Sequence, residues 1–238
     1  MSLIMKPEGF LLVNKPADFT SYDAIRYIKK MLGNSIKIGH SGTLDPFATG
    51  LLIIAIGKPY TKQLSRLMAW SKTYDFELTF GDETDTLDCE GTVTNSLPTT
   101  DVTESSLHSI LSEFVGQQDQ IPPQFSAKKI NGKRAYAYAR SGETVTIEPS
   151  TITIHAIKLL DFSDSTPKKA RISAHCSKGT YVRALGRDIA TKLNTLAFTS
   201  QLCRSAIGAY TLDDAVDLKS LSRDNISTLF HHDLSRNA

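Results

Sequence analysis

Cysteine is scarce in this chain: Cys89, Cys176 and Cys203 are the three among 238 residues. Their number is odd and none lies in a Cys-x-x-Cys pair, so neither a disulfide framework nor a thiolate zinc site is implied. Membrane-length apolar runs are lacking too. The run Leu51 to Ile56 falls far short of the roughly 20 residues a spanning helix needs. The first residues carry no signal-peptide core, because Lys6, Pro7 and Glu8 interrupt it. Charge of one sign is not in excess, with 27 Lys and Arg against 25 Asp and Glu, a net of +2. No global field therefore marks a nucleic-acid binder, and any such partner must be met by a local patch. The expectation is a protein of the reducing cytoplasm that crosses no membrane.

What is present is ordinary globular composition, 40% hydrophobic and 22% charged, at a length that can bury a real core. Phe10 to Val13 reads as a short strand. Thr20 or Ser21 then caps a helix with Ala24, Ile25, Ile28, Met31 and Leu32 on one face, stopped by Gly33-Asn34. Leu51 to Ile56 reads as a buried strand. Tyr74, Phe76, Leu78 and Phe80 alternate with Asp75, Glu77 and Thr79, the mark of a half-buried strand. A helix carries Leu107, Ile110, Leu111 and Phe114 and ends at Gly116. Further strands are expected near 151–160 and 170–176. A last helix is expected with Thr180 as its cap and Val182, Leu185, Ile189 and Leu193 inward. Strands and helices alternate irregularly, which predicts a single α+β domain on a mixed sheet, residues 1–238.

Gly39-His40-Ser41-Gly42-Thr43-Leu44-Asp45-Pro46-Phe47-Ala48-Thr49-Gly50 is the stretch around which the rest is organised. Three glycines allow tight bends and close backbone approach, and the proline pushes Asp45 toward extended geometry. By itself the stretch reads as a structural turn in which Asp45 bonds its own backbone. Gly57-Lys58 is no phosphate loop, since the spacing is wrong and Pro59 stands where Ser or Thr is needed. The acidic loop 81–91 lacks calcium-loop ligand spacing, so no metal is assigned. From Gln120 to Gly142 there is no acidic residue, while Lys128, Lys129, Lys133, Arg134 and Arg140 interleave with Phe125, Tyr136 and Tyr138. A charge run is usually a solvated face. The aromatic interleaving favours a protruding segment that touches RNA.

These stretches together resemble the bacterial tRNA pseudouridine-55 synthase (TruB) family. The similarity runs in order from Leu12-Val13-Asn14-Lys15-Pro16 through the Gly39–Gly50 loop and Thr84-Asp85-Thr86 with Asp88 and Gly91. It continues through Ser126-Ala127-Lys128-Lys129, Gly132-Lys133 and Tyr138-Ala139-Arg140, then Ser177-Lys178-Gly179-Thr180-Tyr181-Val182-Arg183, to Leu202-Cys203-Arg204. Ser41 stands where the family commonly has Thr, and Phe125 where it commonly has Tyr. The resemblance implies a mixed-sheet catalytic domain with flanking helices and a thumb-like insertion at about 118–148. No additional C-terminal RNA-binding (PUA) domain is evident in the 238 residues.

The resemblance also implies a chemistry, isomerisation of the T-loop uridine at position 55 of tRNA after the base is flipped out. Asp45 is then the essential carboxylate. It either attacks C1′, as a retaining glycosidase nucleophile does, or acts at the 2′ position. Arg183 is its cationic partner. Taken alone Arg183 would be a surface arginine, but its place in a first helical turn opposes the helix dipole and asks for a partner. Tyr74 stacks on the target base, although its alternation pattern alone says core. His40 binds RNA beside the extruded uridine, Lys15 and Tyr181 line or support the site, and Leu202 floors the base pocket. Lys128, Lys129, Lys133 and Arg140 grip phosphates. No cofactor, metal or protein partner is implied, and the expected state is a monomer acting on the T-arm. The competing readings are a non-catalytic RNA-binding module, which would not need Asp45, and a nucleoside hydrolase, which would not need the basic segment.

Overall fold

The computed structural model describes residues 7–130 and 132–234. These fall into two compact units, one of residues up to Thr73 together with those from Cys203 on, the other Tyr74–Leu202.

The first unit opens with β1 (Gly9–Lys15) and α1 (Ser21–Leu32), followed by β2 (Ile38–His40), β3 (Thr49–Ile56) and the short helices α2 (Lys58–Thr61) and α3 (Leu64–Ala69). β1 runs antiparallel to β3 in a register that pairs Gly9 with Ile56 and Lys15 with Gly50. Odd and even residues of both strands feed different cores. Leu11, Val13, Leu52, Ile54 and Ile56 pack with Ala24 and Ile28 of α1, while Phe10, Leu12, Leu51, Ile53 and Ala55 pack with Leu67, Ile207 and Tyr210. A strand covered on both faces needs apolar residues at every position, which is why Leu51–Ile56 is a continuous run and not an alternation. The expected cap of α1 is Thr20, in a reciprocal capping box with Asp23.

The second unit begins along β4 (Lys72–Phe80) and includes the small ribbon β5 (Asp82–Thr84) and β6 (Val93–Ser96), α4 (Glu104–Glu113) and β7 (Gly116–Gln120). The basic segment follows, as a hairpin of the two-residue strands β8 (Lys129–Ile130) and β9 (Lys133–Arg134) leading into the single-turn α5 (Ala135–Ala139). It is thus not one long solvated helix face, since Ala135 and Tyr136 turn their N–H groups back onto the carbonyls of Lys128 and Ser126. Then come β10 (Ser150–Ser163), β11 (Lys169–Cys176), α6 (Val182–Lys192) and β12 (Ala197–Ile207), whose residues to Leu202 belong here. The strand order is β12-β4-β11-β10-β7. A Cβ at Gly186 of α6 would lie 2.6 Å from Leu78 of β4; this absence of a side chain lets α6 lie directly on the sheet. The remaining strands, β13 (Tyr210–Thr211) and β14 (Val216–Asp217), return to the first unit. There β14 pairs parallel with β1, and Cys203 and Arg204 of β12 pair parallel with Thr49 and Gly50. Parallel and antiparallel pairings together make the mixed sheet and α+β class expected from the sequence.

Two expectations are corrected. The cap of α6 is Tyr181, not Thr180; the Thr180 hydroxyl is turned back onto the carbonyl of Ser177 at 3.0 Å and so is used in the preceding turn. The mixed segment around Leu202-Cys203-Arg204 is part of an eleven-residue strand.

Candidate active site

Asp45 lies half-buried in the loop between β2 and β3. Its neighbours on both sides are anchored. The Leu44 N–H donates to the Ser21 hydroxyl at 2.9 Å, and that hydroxyl reaches back to the Leu44 carbonyl at 3.3 Å. On the other side the Pro46 carbonyl accepts from Lys15 Nζ at 3.2 Å. Lys15 has 0% exposure and also donates to the carbonyls of Pro16 and Phe19 at 2.8 and 2.6 Å. It supports the loop from beneath, with its ammonium satisfied by backbone oxygens. Ala48 N–H closes onto the Asp45 carbonyl at 3.2 Å. The carboxylate is therefore carried on a rigid turn whose backbone is held independently of the side chain. That is what a reacting group placed to within a fraction of an ångström requires.

The two ends of this loop meet Arg204, a residue that lies in one of the matched motifs but to which the sequence assigned no role. Its Nε donates to the Leu51 carbonyl at 2.8 Å and its Nη2 to the Gly42 carbonyl at 3.2 Å. Gly50 has φ +108°, and a Cβ there would overlap the Arg204 carbonyl oxygen and lie 2.7 Å from its nitrogen. Only glycine fits. His40 completes the arrangement, its Nδ1 accepting the Gly42 N–H at 3.3 Å. Burial first, and the Arg204 charge second, hold its imidazole below the usual 6.5. His40 is thus a neutral acceptor that shapes the loop.

In the other unit Arg183 occupies the first turn of α6 with 5% exposure. Its Nη1 donates to the Thr86 carbonyl at 2.7 Å and lies 3.2 Å from Asp88 Oδ2, while Nη2 donates to the Phe125 carbonyl at 2.9 Å. Asp88, with 3% exposure, is itself held by the Thr86 hydroxyl at 2.6 Å and the Glu90 N–H at 3.0 Å. The cation placed against the helix dipole has found its compensation in this buried carboxylate, and the surface-arginine reading is set aside. The acidic loop is stitched by its own side chains. Asp85 Oδ1 takes the Thr92 N–H at 2.8 Å, and the Thr84 hydroxyl donates to the Asp88 carbonyl at 2.7 Å. Asp88, the carboxylate that faces Arg183, was placed by the sequence only within a motif; its signal was an acid preceded by two threonines in a turn.

Tyr74 is half-buried and lies two residues inside β4. Tyr181, also half-buried, has its backbone clamped by Gln120, which accepts its N–H at 2.9 Å and donates to its carbonyl at 3.1 Å. Leu202 is buried in β12. Of the thumb cations, Lys129, Lys133, Arg134 and Arg140 are exposed. Lys128 is half-buried with its ammonium on the Ser150 hydroxyl at 2.5 Å, which makes it a tether of the segment's base. Lys133 sits 4.2 Å over the Tyr138 ring and the Arg140 guanidinium 5.5 Å over Tyr136, so the interleaved aromatics and cations are preassembled in pairs.

Residues 29–182 match the family model described as TruB family pseudouridylate synthase (N terminal domain). The chain is 42% identical over 217 residues to tRNA pseudouridine synthase B of Caldanaerobacter subterraneus subsp. tengcongensis, covering 91% of this chain and 75% of that one. It is 42% identical over 216 residues to tRNA pseudouridine synthase B of Bordetella pertussis, covering 90% and 86%. Among solved structures, a chain of a Cbf5-Nop10-Gar1 complex superposes with TM-score 0.70 at 24% identity, covering 92% of this chain. This chain spans 55% of that one's length, and at such identity the likeness concerns the fold. The family model, the relatives and the shared fold agree: the chain belongs to the TruB family of pseudouridylate synthases.

Proposed function

We propose that this chain isomerises uridine to pseudouridine in tRNA, at position 55 of the T-loop, with Asp45 as the essential carboxylate. The observation that carries the reading is the 42% identity to proteins named tRNA pseudouridine synthase B over nine-tenths of the chain. The anchored, half-exposed Asp45 loop agrees with it.

In the reaction the N1–C1′ bond of uridine breaks, the base turns, a C5–C1′ bond forms, C5 gives up its proton and N1 takes one up. Nothing is oxidised and no atom is gained, so the chemistry calls for no redox group. The uridine must first leave its stack. Asp45 then serves the electron-poor ribose, at C1′ or at the 2′ position, and must be anionic to do so. Arg183 is the cation the family resemblance assigns to that carboxylate, and its own anchoring by Asp88, Thr86 and Phe125 would present the guanidinium in one orientation. Tyr74 would stack on the flipped base, Tyr181 and Leu202 line its pocket, and His40 and Lys15 shape the loop. The exposed thumb cations Lys129, Lys133 and Arg140 would hold phosphates of the T-arm. The reading includes a monomer acting in the cytoplasm on tRNA alone.

The test is incubation with unmodified tRNA followed by chemical mapping of pseudouridine. Modification at one T-loop uridine is expected, lost in Asp45→Asn while tRNA affinity stays within a few fold, because affinity rests mostly on phosphate contacts. Turnover by Asp45→Asn near the wild-type rate would refute the role of Asp45, and modification elsewhere in the tRNA would refute the position.

A further inference from the structure

We propose that Arg204 is a positioning residue of the reaction, a single side chain that closes the Asp45 loop by holding its two ends. The inference rests on the reading of Asp45 as the reacting carboxylate. Arg204 lies outside the residues that reading uses.

Arg204 is an unusual arginine. It is 1% exposed, and among the described residues its side-chain hydrogen bonds go to two backbone carbonyls, with no carboxylate. Taking a guanidinium out of water costs several kcal/mol unless its donors are met, so a chain does not place one where a leucine would serve. The two carbonyls it meets are those of Gly42 and Leu51, three residues before and six after Asp45. Nε and Nη2 form one edge of the guanidinium, and that edge spans the mouth of the loop. The backbone of Arg204 acts on the same place. It pairs in parallel register with Gly50, and its nitrogen and carbonyl carbon come so close that a Cβ at Gly50 would lie 2.7 and 2.9 Å from them. Gly42 is held through both of its flanking peptide groups, its N–H by His40 Nδ1 and its carbonyl by Arg204. His40 can accept that N–H only while Nδ1 is unprotonated, and the neighbouring cation favours that state. Arg204 thus acts twice, by geometry on both ends of the loop and by charge on the histidine that shapes its entry.

The fork explains why lysine would not do. An ammonium can keep the charge but presents no planar pair of donors to two carbonyls. A shift of the loop by about 1 Å would leave RNA contacts in place yet lower the chemical step by up to ~100-fold.

The experiment compares Arg204→Lys and Arg204→Gln with wild type in three readouts: kcat at saturating tRNA, tRNA Kd, and the His40 titration by NMR. Arg204→Lys is expected to lose roughly tenfold or more in kcat with Kd within threefold, and to keep the low His40 midpoint. Arg204→Gln is expected to lose more in kcat and to let the His40 midpoint rise toward 6.5. A folded Arg204→Lys with kcat within twofold of wild type would overturn the proposal, as would a His40 midpoint unmoved by Arg204→Gln. Should neither variant fold, exchange of the Arg204 Nε–H in the wild-type protein decides. A proton as labile as that of an exposed arginine overturns the closure, and a protected one coupled to the Leu51 carbonyl supports it. Asp45→Asn, measured alongside, separates the two claims. An active Asp45→Asn refutes the carboxylate's role, whereas an inactive Asp45→Asn beside a normal Arg204→Lys refutes only the positioning.

Discussion

Replacing Asp88 by alanine tests the electrostatics of the α6 turn. The Asp88 carboxylate stands 3.2 Å from Arg183, and the two residues have 3% and 5% exposure. Deleting one member of a buried ion pair costs about 3–5 kcal/mol, because the surviving charge keeps its desolvation without this counter-charge. Arg183 keeps the carbonyls of Thr86 and Phe125, so the lower end, about 3 kcal/mol, is expected. For a chain of this size that corresponds to a fall in Tm of about 6–12 °C. Asp88→Ala should also lower kcat, since the guanidinium loses one of the groups that orient it. A double variant separates the two effects. Replacing the pair together by Asp88→Leu and Arg183→Met removes both charges, and such exchanges are often neutral or stabilising. The double variant should therefore regain most of the lost Tm while turnover, lowered in the single variant, is lost with Arg183. Calorimetry on the single and double variants, with pseudouridine mapping on tRNA, reads both quantities. A Tm of Asp88→Ala within 2 °C of wild type, or a double variant less stable than the single one, would refute the reasoning, the ~2 °C margin being the smallest shift that one kcal/mol produces.

Gly50→Ala should destabilise by roughly 3 kcal/mol by urea titration, since strain at φ +108° adds to overlap with the Arg204 backbone, whereas Gly132→Ala, with φ +83° and open space around it, should cost about 1 kcal/mol. Equal costs would refute the packing argument. The His40 imidazole should titrate below 6.5 by NMR. The unfolded chain takes up that proton first, so this residue's share of stability is lost as pH falls through about 6.5 toward the folded value, and a contribution that grows on acidification would refute it. Replacing Lys129, Lys133 and Arg140 by alanine should reduce the slope of log K against log salt for tRNA binding by about 2, at ~0.7 per phosphate contact. Lys128→Ala should instead loosen the base of the thumb, seen as faster proteolysis at 121–148, because its ammonium is engaged with Ser150.

The sequence alone determined what depends on local chemistry. The two-sided burial of β3 was written in six consecutive apolar residues, the cap of α1 in a threonine three places before an aspartate, and the half-exposed β4 in strict alternation. The chemical inventory was equally legible: a pre-proline aspartate among glycines, an acid-free basic stretch with aromatics, and an arginine set against its helix dipole. What the sequence could not carry was the identity of partners far apart in the chain. Asp88 and Arg183 are separated by 95 positions, and nothing local in an acidic turn says which cation it faces. Arg204 looked like one charge in a mixed segment. Parallel pairing with Gly50 turned it into the closure of a loop some 150 residues upstream, and parallel pairing leaves no periodic mark that names its partner strand. Thr180 lost its expected place as a helix cap for a similar reason, because the clamp from Gln120 onto Tyr181 sets where α6 begins. Residue types and spacings chose the elements, while the buried polar contacts that orient Asp45's loop and Arg183 exist only once distant segments have packed, since a hydrogen bond's direction is a property of the folded backbone.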